Sequence, residues 1–196
     1  MKNTFSKVIL TLLGLLLLLP GCASRNKLDS FLREEVNLAY VKSVGVLPFE
    51  NNTSDPYAAK RCREILMTEV MASGLFEVVE KGVVDSALRT EAVDAGAAID
   101  AVTLRRLGQR LGVEAFIMGS MDSIGESRSG NYSYTELTMS IRLVDSEKSL
   151  VLWQASGRGS GYSIWDRLFG LGSRDSFQIT LELIRSLLRS MGERPA

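Results

Sequence analysis

Three features of the chain predict an α/β fold, a mixed β-sheet of about five strands with helices packed on it. Two strand-like runs, Val44–Phe49 and Phe76–Val79, are separated by a stretch of helical length, as in parallel strands joined through a crossover. Three further strand-like runs between Ala115 and Ser156 are separated only by short turns, as in an antiparallel meander. Apolar stripes of helical period with glycine stops fill the remainder and give the order β-α-β-α-α-β-β-β-α.

Taken in order, Ala23 to Tyr40 is polar and mixed in charge with a few apolar positions (Leu28, Phe31, Leu32, Val36), and reads as a tether with a turn or two of helix. The first strand follows, with Val44, Val46 and Pro48 alternating against Gly45, Leu47 and Phe49, so both of its faces are apolar and both are covered. A polar loop, Glu50–Asp55, leads to Pro56, a helix-starting residue. The helix to Ser73 carries Cys62, Ile65, Leu66 and Val70 on its buried face and stops at Gly74. After Phe76–Val79 come helices over Val83–Glu91 and Thr103–Leu111, the latter with Leu104, Leu107 and Leu111 on one stripe and Gly112 as its stop.

Ala115–Ile124 is then a strand, and Tyr132–Val144 is the clearest one. In it Leu137, Met139, Ile141 and Leu143 face one way and Glu136, Thr138, Ser140 and Arg142 the other, so one face is buried and one wet. Leu150–Ser156 completes the meander. Gly157-Arg158-Gly159-Ser160-Gly161 lacks the G-x-G-x-x-G spacing of a phosphate loop and reads as a flexible bend. A last helix has Phe177, Leu181, Ile184, Leu188 and Met191 as its stripe, with Asp175 and Gln178 at its start in the pattern of a capping box.

The amino terminus decides location. Lys2 and Lys7 precede an apolar run, Val8–Leu19, of about a dozen residues, short of the roughly 20 a membrane-spanning helix needs, and Pro20-Gly21 stops it. This is signal-peptide anatomy. Gly21-Cys22 resembles the lipobox of bacterial lipoproteins, in which the cysteine sulfur is acylated and the residue becomes the new amino terminus. The expected organisation is a leader at 1–21, a lipidated tether at 22–40 and a single domain at 41–196. Ala23-Ser24 lacks the aspartate that resembles an inner-membrane retention signal, which favours the periplasmic face of the outer membrane.

Composition narrows the function classes. The chain carries 23 basic and 23 acidic side chains; Lys2 and Lys7 lie in the leader, which leaves a slight acidic excess and no basic footprint for nucleic acid. The absence of histidine removes the commonest general base, the usual partner of a nucleophilic serine or cysteine, and the usual zinc ligand. No catalytic residue, metal site or cofactor is assigned. With Cys22 acylated, Cys62 has no intrachain partner and reads as a packed thiol.

Three stretches in order behind the lipobox carry a family resemblance. They are Val44-Gly45-Val46-Leu47-Pro48-Phe49-Glu50-Asn51, then Gly74-Leu75-Phe76-Glu77-Val78-Val79-Glu80 before a helix, then Leu107-Gly108 through Leu111-Gly112-Val113-Glu114-Ala115-Phe116-Ile117-Met118-Gly119-Ser120. Together they resemble the CsgG-type periplasmic lipoproteins, a grouping that takes in PelC-like, LpoB-like and TolB amino-terminal domains. The resemblance implies an α/β domain that does no covalent chemistry and works in an envelope secretion or assembly machine, as a homo-oligomeric ring or an accessory. The short connection from Ile124 to Tyr132 departs from curli secretion lipoproteins, which add long membrane-spanning hairpins, and points to a compact PelC-like member. The rival expectation is an LpoB-like regulator of a cell-wall synthase, for which the tether is short.

Two contact sites are expected. The loop after the first strand, with Asn51, Asn52, Asp55 and Tyr57, lies where the family places the loop lining a ring's constriction, and its amides and phenol suit contact with a passing polymer or a partner; it also reads as an ordinary polar connection. Ile164–Leu171, with Trp165, Leu168 and Phe169 between glycine flanks, suits a membrane interface or a subunit contact, the alternative being burial in the domain.

Overall fold

The computed structural model of the protein describes residues 28–34, 37–130, 132–162 and 174–192. Among them are seven strands: β1 Leu28–Leu32, β2 Ser43–Val46, β3 Glu50–Asn51, β4 Glu77–Val78, β5 Ala115–Ser129, β6 Tyr132–Asp145 and β7 Val151–Ser160. Four α-helices accompany them: α1 Ala58–Ser73, α2 Lys81–Thr90, α3 Ala101–Leu111 and α4 Ser176–Ser190. The predicted α/β architecture and the order of its elements are present, with β1 and β3 added.

The strands form one mixed sheet in the order β1-β7-β6-β5-β2-β4, and β3 also pairs with β5. β2 runs parallel to β4 and β5, and β3 runs parallel to β5, because helices or long connections separate them. β5, β6, β7 and β1 are successive antiparallel neighbours. Helices α1 and α4 cover one face, burying Cys62, Leu66 and Val70 from α1 and Ile179, Leu183 and Leu187 from α4 against Ile117, Leu137, Ile141 and Trp153. Helices α2 and α3 cover only part of the other face, where Val84, Leu88, Leu104 and Leu107 close over Phe116 and Val144. Beyond them the sheet is open, and Arg142, Gln154 and Arg158 are exposed on it.

Sequence-coded stops set the helix ends. Gly74 and Gly112 close α1 and α3 at φ 65° and 66°, and Asp100 and Asp175 accept backbone N–H groups of the first turns of α3 and α4. Among buried polar groups, Arg63 ties α1 to the sheet: its Nε and Nη2 donate to the Val46 carbonyl at 3.1 and 2.6 Å, and its Nη1 donates to Asp85 at 2.7 Å. The start of β2 is stapled by Glu114, whose carboxylate accepts from the N–H groups of Lys42 and Ser43 at 3.0 and 2.8 Å.

Four expectations need correction. Within the segment read as a tether with helical turns, Leu28–Leu32 is a strand on β7, with Leu28, Ser30 and Leu32 turned inward and Asp29 and Phe31 outward. Five residues with two inward leucines are too short a pattern to announce a strand. The expected bend at Gly157–Gly161 is instead the end of β7 through Ser160. A Cβ on Gly159 would sit 2.7 Å from Ile179 Cγ2, so the glycine there lets α4 approach the strand. On α4 the buried stripe is Ile179, Leu183, Ile184, Leu187, Leu188 and Met191, whereas Phe177 is 57% exposed at the edge of the groove between the first turns of α1 and α4. Finally, β5 continues past Ile124 to Ser129, so the connection to β6 is a tight turn on a long hairpin.

Candidate functional site

β1 defines one end of the molecule. It is antiparallel to β7, with Leu28 opposite Gly157 and Leu32 opposite Trp153, so the start of β1 is the end nearer Ser160 and the β5–β6 turn. The amino termini of α1 and α4 and the loop after β3 lie at this same end, since Asn51 pairs with Met121 and the Asn52 N–H donates to the Met121 carbonyl at 2.9 Å.

Of the four loop residues read as contacts, two are committed to the loop itself. Asn51 Oδ1 accepts from the Thr53 hydroxyl at 2.8 Å and Asn51 Nδ2 donates to the Asp55 carbonyl at 2.8 Å. Asp55 pairs with Arg61 and accepts the Tyr57 N–H at 2.9 Å, and the guanidinium chiefly holds its carboxyl below the usual range. Those bonds shape the loop. The Asn52 side chain and the Tyr57 ring, 63% exposed, are left to face outward.

Beside Tyr57, the first turns of α1 and α4 enclose an apolar groove of about 300 Å³ lined by Ala58, Cys62, Ile65, Met121, Ile124 and Phe177. Cys62 is 1% exposed, and burial pushes its thiol up to about 12, so it stays protonated and unreactive at neutral pH. Across the hairpin, the Tyr162 ring packs on Tyr134 and Tyr132 with centroids 5.2 and 6.0 Å away. Arg174 Nη2 donates to the Ser160 carbonyl at 3.2 Å, which brings the two ends of the intervening chain together on this face. That chain holds Trp165, Leu168 and Phe169, which lie outside the described residues, as does Cys22.

Sequence reasoning did not foresee that these pieces share one end, because that depends on β1 pairing. The end offers amides, phenols and apolar rings, which suit contact. Among the described residues no cluster of three or more His, Cys, Asp or Glu side chains is placed to hold a metal. No helix among them is long and apolar enough to cross a membrane.

No curated protein matches the chain in sequence. Among solved structures, the lipoprotein GNA1162 from Neisseria meningitidis aligns with a TM-score of 0.59 at 21% identity, covering 78% of this chain and 99% of its own. The PelC dodecamer from Paraburkholderia phytofirmans aligns at 0.57 and 14% identity, covering 87% of this chain and all of its own. At these identities the likeness is one of fold. In sequence, the family model described as "Putative lipoprotein GNA1162-like" matches residues 35–171, most of the described domain, and the chain belongs to that GNA1162-like family.

Proposed function

We propose that the protein is a lipid-anchored, non-enzymatic component of an envelope secretion or assembly machine, a homo-oligomer held at the periplasmic face of the outer membrane by acyl groups on Cys22. The observation that carries this reading is the direction of β1. Cys22 precedes Leu28 by six residues, which at about 3.5 Å each span at most ~21 Å. An anchor on so short a leash holds the β5–β6 hairpin end against the lipid, with Tyr57 and Phe177 turned toward membrane or neighbouring subunit, and Trp165, Leu168 and Phe169 serve as further contacts of the same kind. The PelC structure, which shares the fold, is described as a dodecamer, and that supports a ring of copies here, with Asn52 and Tyr57 as the loop contacts for polymer or partner.

A cell-wall synthase activator needs reach through the periplasm. With β1 paired from Leu28, only the five residues Ala23–Lys27 lie in sequence between Cys22 and the sheet, which weighs against that role. A photo-reactive residue at Tyr57 or Phe177 should cross-link to lipid or to a second copy in intact envelopes, whereas one at Lys148, in the opposite turn, should not. Cross-linking to lipid from Lys148 alone would reverse the orientation and sink the reading. Trp165→Ser with Phe169→Ser should weaken assembly or membrane association more than it lowers the melting temperature.

A further inference from the structure

The sheet face opposite α1 and α4 holds a cleft that plays no part in anchoring. It has a volume of about 250 Å³ and opens at the carboxyl end of parallel strand β2, where open α/β sheets characteristically take ligands. Its floor is Met118 of β5 with Arg142 and Val144 of β6; its roof is the connection between α2 and α3, from Asp94 to Ile99. A smaller hollow lined by Ser120, Ser140 and Gln154 continues it along the open sheet, sharing Glu50 and Arg142.

Three observations mark it as built for a ligand. The first is charge: Arg142 on the floor is exposed and pairs with no acid among the described residues, while Glu50 of β3 and Asp94 of the roof line the same cleft and pair with no base among them. Acids and base line one cleft without pairing with each other. The second is Ser149, which lines the cleft in the left-handed region at φ 55° with its Oγ buried and without a hydrogen-bond partner. Both features are costly for a serine and concentrate at functional positions. The third is the roof itself. Gly96 holds φ at 78°, a left-handed conformation that favours glycine, and through it the roof runs past the Phe49 carbonyl and the Glu50 backbone at ordinary contact distance.

We propose that this cleft binds a short zwitterionic peptide. Its carboxylate lies on Arg142, its ammonium group toward Glu50 and Asp94, its peptide group on the Ser149 hydroxyl, and an apolar side chain rests against Leu47, Met118 and Val144. A simple anion would meet the two acids and a simple cation the arginine, whereas a dipolar ligand satisfies both sides at once. The inference is independent of the lipid anchor and of ring assembly.

The test is calorimetric titration of the full-length protein in detergent with the dipeptide Ala-Leu, its amide, and its N-acetyl form. Ala-Leu should bind, and either blocked form should bind at least ~10-fold more weakly. Arg142→Gln should abolish the discrimination between Ala-Leu and its amide while leaving the penalty for acetylation. Ser149→Gly removes the strain with the hydroxyl, so it should raise the melting temperature and still weaken Ala-Leu binding. Absence of binding by the wild-type protein up to about 10 mM, the range of very weak affinity, would overturn the proposal. So would full discrimination between Ala-Leu and its amide surviving in Arg142→Gln.

Discussion

Leu28 stands opposite Gly157 in an antiparallel pair, and this register starts β1 at the end of the sheet that carries the β5–β6 hairpin. Leu28 and Leu32 also pack on the α1–α4 side of the sheet, beside Trp153. A chain beginning at Arg33 should therefore be less stable than one beginning at Ala23 by about 2 kcal/mol, the burial of two partly covered leucines. Equal denaturation midpoints for the two would show that β1 adds nothing.

Cys62 is enclosed by the α1–α4 core and carries no reactive thiolate near neutral pH. Cys62→Ala should cost roughly 1 to 2 kcal/mol through lost packing and leave assembly intact. A thiol reagent should label the native protein only at the rate of unfolding; rapid labelling would contradict the burial.

Glu114 gives the fold an acid-side dependence. The Ser43 N–H, foremost, and the Lys42 N–H stabilise its charged form and hold its carboxyl below its ordinary value of 4.5. Between the folded and unfolded values the unfolded chain binds the extra proton, so stability rises with pH. The contribution is complete above about pH 5 and is lost as pH falls through the lowered folded value. Melting temperature measured from pH 6 to pH 3 should fall less steeply in Glu114→Gln than in the parent. Parallel curves would remove Glu114 from the account.

At Gly159, α4 packs close onto β7. Gly159→Val should cost roughly 1 to 3 kcal/mol through overpacking against Ile179, and Ile179→Ala in the same chain should recover part of that loss. Additive costs would mean that the two residues do not touch.

The parts of this fold that could be read in the sequence are those with long periods or decisive stops. Leu137, Met139, Ile141 and Leu143 alternate over enough residues to fix both the strand and its buried face, and Gly74 and Gly112 end their helices where expected. β1 was hidden because its few residues look like polar linker until β7 is present to pair with them. Phe177 departs from the predicted stripe because hydrophobicity marks an apolar residue but not whether a neighbour covers it: Ile179, Leu183 and Leu187 meet the core, and Phe177 stays 57% exposed. The loop chemistry was half visible: Asn51 and Asp55 are the expected residue types, but only coordinates show their polar groups turned onto Thr53, Tyr57 and Arg61. Arg142 was read as a wet-face residue, while its place in a cleft depends on a roof from a distant connection.

The central claim, a membrane-anchored oligomer, is tested most directly by the native mass of the full-length protein extracted in mild detergent. Native mass spectrometry should show a protomer mass increased by acyl groups that Cys22→Ser lacks, in a complex that is a whole-number multiple of that protomer. An unacylated protomer that remains a monomer at every concentration would contradict it.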